Sequence, residues 1–109
     1  VNPTAVRIPA FFGHSEAVHI ETRDKISAAA VADLLANSPG IVVLDGVKTG
    51  EYPTAVTESS GADPVFVGRI REDISHPRGI NLWVVADNIR KGAALNSVQI
   101  AEILAKNYL

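Results

Sequence analysis

Residues 80–86, Ile-Asn-Leu-Trp-Val-Val-Ala, place apolar side chains on both faces of an extended chain. Leu82, Val84 and Ala86 fall on one side and Trp83 and Val85 on the other. A strand that is apolar on both faces needs cover above and below, so it belongs in the middle of a sheet. Residues 65–73 form a second strand, with Phe66, Gly68 and Ile70 on one face and Val67, Arg69 and Arg71 on the other. The turn over residues 75–79 joins the two as an antiparallel pair.

The rest of the chain must supply the cover. Val6, Ile8 and Ala10 alternate with Arg7 and Pro9, and Val18, Ile20 and Thr22 alternate with His19, Glu21 and Arg23, which predicts two more strands. Ser27 is placed as an N-cap before an alanine-rich helix whose Val31, Leu34 and Leu35 make a short apolar stripe. Asn37, Ser38, Pro39 and Gly40 stop it. Residues 41–44 read as a buried or edge strand, and residues 45–53 as a loop, the least ordered part of the chain. Residues 54–57 extend briefly before a turn over 59–64. Asp87 or Asn88 then caps a long helix running through Ile89, Ala93, Ile100 and Leu104 to Tyr108, with Gly92 early in it. A glycine there costs up to about 1 kcal/mol against alanine, which points to something packed close to the backbone, another strand or a ligand. The expected fold is α+β: one domain with a mixed, largely antiparallel sheet, one helix on a face and a long C-terminal helix.

Composition narrows the function classes. The 109 residues are 47% hydrophobic and 20% charged, with a formal net charge of −2 and no basic run, so no charged surface suits nucleic acid. No apolar stretch approaches the roughly 20 residues that cross a bilayer. The chain has no cysteine, which removes disulfides and thiolate metal sites, and His14, His19 and His76 lack metal-ligand spacing. It also has no methionine and begins at Val1, two residues before an expected strand, so it reads as a piece of a longer protein.

Arg7 and His14 flank a Pro/Phe/Phe/Gly corner. Residues seven apart on a regular strand point to opposite faces and lie roughly 23 Å apart. To serve one small ligand, the chain must bend between them, and Pro9 and Gly13 permit it. The wording here is R-I-P-A-F-F-G-H-S-E-A-V over residues 7–18. It is followed by G-R-I-R-E-D over 68–73 and N-L-W-V-V-A-D-N-I-R-K-G-A-A-L-N-S-V-Q-I-A-E over 81–102. These blocks, in this order, resemble the C-terminal part of aspartate-β-semialdehyde dehydrogenase over essentially the whole chain.

The resemblance implies a reaction in which aspartate semialdehyde, phosphate and NADP give aspartyl phosphate and NADPH. A cysteine thiolate attacks the carbonyl carbon, a thioester forms, and hydride passes to the nicotinamide. Arg7 matches the substrate-binding arginine, whose planar fork suits an α-carboxylate. His14 matches the acid/base histidine, a residue type that titrates near neutral pH. Asn88 matches the position that contacts the nicotinamide carboxamide, where a side chain that donates and accepts is needed, and Gly92 with Ala93 lies near the cofactor. His19 and His76 match nothing functional, and Arg69 and Arg71 read as sheet-surface or subunit-contact residues.

The departures matter as much. The nucleophilic cysteine, the Gly-rich phosphate-binding turn and the phosphate-binding Arg and Lys of the family are absent from this chain. They are expected in a missing N-terminal portion of the same enzyme. On this reading residues 1–86 are part of the catalytic and dimerisation domain, and 87–109 form a helix that packs on the dinucleotide-binding domain. The chain is then a fragment of a cytoplasmic homodimeric oxidoreductase of lysine, threonine and methionine biosynthesis. The competing reading is a non-catalytic oligomerisation or binding module related to that enzyme. Arg7, His14 and Asn88 are all intact, and a freed module has no physical need for all three.

Overall fold

The computed structural model describes residues 1–46 and 50–109. Four strands, β1 (His14–Glu21), β2 (Ile41–Val43), β3 (Val65–Glu72) and β4 (Gly79–Ala86), form one sheet in the order β1-β4-β3-β2. β4 is antiparallel to both β1 and β3, while β2 runs parallel to β3. Helix α1 (Ala28–Ala36) lies between β1 and β2 in the chain, and α2 (Leu95–Tyr108) ends it. The architecture is the expected α+β one, and β4, apolar on both faces, is central.

One face carries the main core. Val67, Ile80 and Leu82 are buried, with Val18, Ile26, Val31, Leu35, Ile41, Val65, Ile70 and Val84 packed around them. Ser27 caps α1 by accepting from Ala30 N at 3.2 Å, and Val31 and Leu35 bring the helix onto the sheet. Leu34, expected in that stripe, is 62% exposed, because the helix rests on a narrower seam than an i, i+3, i+4 pattern suggests.

The other face is covered differently. The Trp83 indole N–H donates to Pro53 O at 2.9 Å, and residues 55–59, with Ala55 and Ser59 buried, contact β4, whose Val85 is fully buried. Residues 55–59 form a single π turn capped by Thr54, which accepts from Thr57 N, so the extension expected over 54–57 is instead helical. The hydroxyl of Thr54 captures the chain into a turn before it can extend.

Two further expectations fail for local reasons. Residues 6–10 form no strand; Val6 and Ile8 are 76% and 52% exposed, and no strand among the described residues pairs with them. In β3, Arg69 has φ +56° and inserts a bulge between Gly68, paired with Trp83, and Arg71, paired with Asn81. The bulge shifts the phase, so Ile70 joins Val67 on the core face rather than Gly68 and Phe66. The loop expected over residues 45–53 includes 47–49, which lie outside the described residues.

Candidate functional site

The core helix covers only part of its face. Beyond it, where β1 begins and β4 ends, His14, Glu16, Val65, Val84, Ala86, Asn88, Lys91 and Gly92 line an open groove of about 210 Å³. The pairing explains how the strand residues meet. His14 is opposite Ala86 and Glu16 opposite Val84, all four on one face.

Backbone chemistry holds the chain where β1 begins and β4 ends, beside the groove. Gly13 enters β1 with φ +86°, a conformation that other residues rarely adopt. A Cβ at this position would meet Ala55 Cβ at 3.0 Å, Ser59 Oγ at 3.2 Å and Ala86 O at 3.3 Å. Its N–H donates to Asn88 Oδ1 at 2.9 Å. Asp87 is buried, and its carboxylate accepts from Gly61 N at 2.8 Å, Ile89 N at 2.9 Å and Arg90 N at 3.0 Å. Donation from Gly61 and Arg90, and then from Ile89, outweighs burial and holds the Asp87 carboxyl below the usual aspartate range. Asp87 thus holds the N–H groups of Ile89 and Arg90 just ahead of the terminal helix, which starts as a π turn over Arg90–Ala94 and continues as α2. Asn88 is left to bridge to Gly13.

Gly92 is exposed, and a Cβ there would meet nothing closer than Asn88 Cβ at 3.9 Å. No strand packs against its backbone among the described residues; the glycine leaves room on the groove side. Lys91 Nζ donates to Gln99 Oε1 at 2.8 Å across the helix. Three of the four sequence-assigned site residues, His14, Asn88 and Gly92, therefore share one groove. Arg7 does not line it; it sits in the exposed, irregular residues before Gly13. Asn88 also departs from expectation in part, since one lone pair of its amide oxygen is taken within the chain by Gly13 N. Glu16 and Lys91 are groove residues that the sequence reading passed over. The i, i+2 spacing from His14 already placed Glu16 on the same strand face.

Geometry supports the structural reading of His19. Its Nδ1 lies 3.0 Å from Asp73 Oδ2 and 3.2 Å from Asn81 Oδ1, pinning β1 to the β3–β4 turn at the far end of the sheet. Arg69 and Arg71 lie with Ala17, Tyr52, Leu82 and Trp83 around a depression of about 310 Å³, apart from the groove.

The groove offers apolar Val65, Val84 and Ala86, a glycine that leaves space, and an amide with N–H groups left to donate. Residues 1–91 match the semialdehyde dehydrogenase dimerisation domain. The chain is 65% identical over 108 residues to an aspartate-semialdehyde dehydrogenase of Shewanella sp. (strain DB6705), covering 99% of this chain and 31% of the relative. It is 60% identical over 109 residues to that of Legionella pneumophila, covering 100% and 31%. Among solved structures, aspartate semialdehyde dehydrogenase II of Vibrio cholerae complexed with ASA superimposes with a TM-score of 0.91. That pair shares 56% identity over 99% of this chain and 31% of that one. The chain spans about a third of the length of the curated relatives it matches.

Proposed function

The chain belongs to the semialdehyde dehydrogenase family as its dimerisation domain, and from that premise we propose that it is the C-terminal part of an NADP-dependent aspartate-semialdehyde dehydrogenase. The observation that carries this reading is the groove in which His14, Asn88 and Gly92 meet, tied together by the Gly13–Asn88 hydrogen bond.

His14 is the acid/base: on an exposed strand end it can take a proton from an incoming thiol and return one to the departing group. The thiol itself comes from the remainder of the enzyme, because this chain has no cysteine. Arg7 grips the α-carboxylate of aspartate semialdehyde, reaching the site once the substrate and the rest of the enzyme order the segment before Gly13. Asn88 orients the carboxamide of NADP, and Gly92 leaves room for its ring. When bound, NADP accepts or returns the hydride. Phosphate completes the substrate set.

The opposite sheet face supports a homodimer in the same reading. Exposed Ala17, Tyr52, Arg69 and Arg71, with half-buried Trp83, make a shallow apolar and cationic surface suited to a twin subunit. The exposed Ile100, Ile103 and Leu104 of α2 suit packing on the dinucleotide-binding portion. Work in amino-acid biosynthesis, towards lysine, threonine and methionine, goes with a cytoplasmic enzyme. A purely oligomeric module would account for the sheet face but leave the groove without a purpose.

The test is direct. Full-length protein is assayed for phosphate-dependent reduction of NADP by aspartate semialdehyde, beside the isolated 109-residue chain. Activity is expected in the first and none in the second. NADPH formed by the isolated chain would overturn the mechanism, and an inactive full-length protein would favour the oligomeric module.

A further inference from the structure

We propose that Asn88 is a positioning residue for His14 as well as a ligand contact, and that its NH2 group makes it a donor towards that ligand; this rests on the dehydrogenase reading above. A backbone N–H can only donate, so the Asn88 atom 2.9 Å from Gly13 N has to be the amide oxygen. The chemistry of Gly13 therefore fixes which way the amide is turned. The NH2 group is left whole for a ligand, in a side chain that lines the groove.

The positioning role follows from where the bond falls. β1 is an edge strand, and His14 is the first residue of its ladder, opposite Ala86. The ends of edge strands fray. Here the residue before His14 is tied to the residue two beyond Ala86, so the ladder is closed just past its last pair. Ala55, Ser59 and Ala86 O crowd Gly13 from other directions, and Asp87 anchors Asn88 through its three backbone N–H partners. Removing the amide oxygen frees a polar tie that fixes the Gly13 peptide and, with it, the start of the His14 backbone.

The donor role restricts the ligand. The group that meets the NH2 of Asn88 must be an acceptor, such as a carboxamide carbonyl oxygen.

Two substitutions separate the roles in the full-length enzyme. Asn88→Asp keeps an acceptor for Gly13 N but offers the ligand no N–H; Asn88→Ala removes both. Asn88→Ala should lower kcat by roughly 10- to 100-fold, the scale of a small misplacement of a reacting group, and raise the KM for NADP. Asn88→Asp should raise the KM for NADP yet keep most of kcat. Hydrogen exchange at the Gly13 amide should remain slow in Asn88→Asp and become fast in Asn88→Ala. Equal kcat losses in the two variants, or Gly13 protection untouched by Asn88→Ala, would overturn the positioning role. An unchanged KM for NADP in Asn88→Asp would overturn the donor role. His14→Asn in the same assay keeps the premise separate: full turnover there removes the acid/base reading, while Gly13 exchange still reports on the bond.

Discussion

Asp45 holds Arg69 in the left-handed region: its Oδ1 accepts from Arg69 N at 2.8 Å and its Oδ2 from Ile70 N at 2.7 Å, across the bulge in β3. A bulged strand loses ladder partners, and here one carboxylate replaces two of them. Asp45→Ala should therefore destabilise the domain by about 1–3 kcal/mol per stranded N–H that stays out of reach of water. Arg69→Gly should do the opposite, by up to about 1 kcal/mol, since glycine adopts positive φ without a Cβ clash. Urea unfolding of the full-length protein measures both; a neutral Asp45→Ala would mean that water satisfies the bulge.

His14→Asn should leave substrate binding intact and lower kcat by roughly 10²- to 10⁴-fold, the usual contribution of a general acid–base group. Its exposure at the strand end means that the fold gains little from the ring, so circular dichroism and the unfolding midpoint should hardly move. Near-normal turnover would reduce His14 to a structural residue.

Arg7 stands outside every helix and strand and is exposed, so neither Arg7→Lys nor Arg7→Leu should disturb folding. Arg7→Lys keeps the charge but loses the two-pronged fit, and it should raise the KM for aspartate semialdehyde. Arg7→Leu should lower kcat/KM by roughly 10- to 100-fold, as expected from the ~1.5–3 kcal/mol of a hydrogen bond to a charged group. Unchanged kinetics in both variants would move the carboxylate clamp to another residue.

Asp87 predicts an acid limb in the stability profile. Its folded carboxyl titrates below the ordinary value because it accepts from Gly61 N, Arg90 N and Ile89 N. A depressed folded pKa means that the stabilisation is fully present above the unfolded pKa, about 3.9, and is lost as pH falls through the lower folded one. Thermal unfolding from pH 6 down to pH 2 should show a smaller slope in Asp87→Asn than in the parent. An identical slope would show that other carboxylates govern acid unfolding.

Much of this was legible in the chain. The two-sided apolar pattern of residues 80–86 identified the central strand, Ser27 the start of α1, and the pair Asp87 and Asn88 the start of the terminal helix. What stayed hidden depends on contacts that periodicity does not encode. The alternation over residues 6–10 looks like a strand, but no neighbour among the described residues pairs with it. The phase slip at Arg69 arises because Asp45, remote in sequence, supplies two acceptors. At the site, residue types pointed to His14, Asn88 and Gly92, and the sheet register brings them together. That Asn88 spends its oxygen on Gly13 could not be read from the sequence, since the two are 75 positions apart.

The strand order carries a consequence for biogenesis. Of these four strands β1 is made first, and its partner β4 last. Translation proceeds at roughly 5–20 residues per second, so β1 waits seconds on the ribosome with its pairing edge open. Phe11 and Phe12, 98% and 54% exposed even after folding, stand beside that edge throughout. Such an interval favours capture by a chaperone over early local folding. Any truncation that stops short of Asn88 would release a polypeptide in which the groove around His14 never closes.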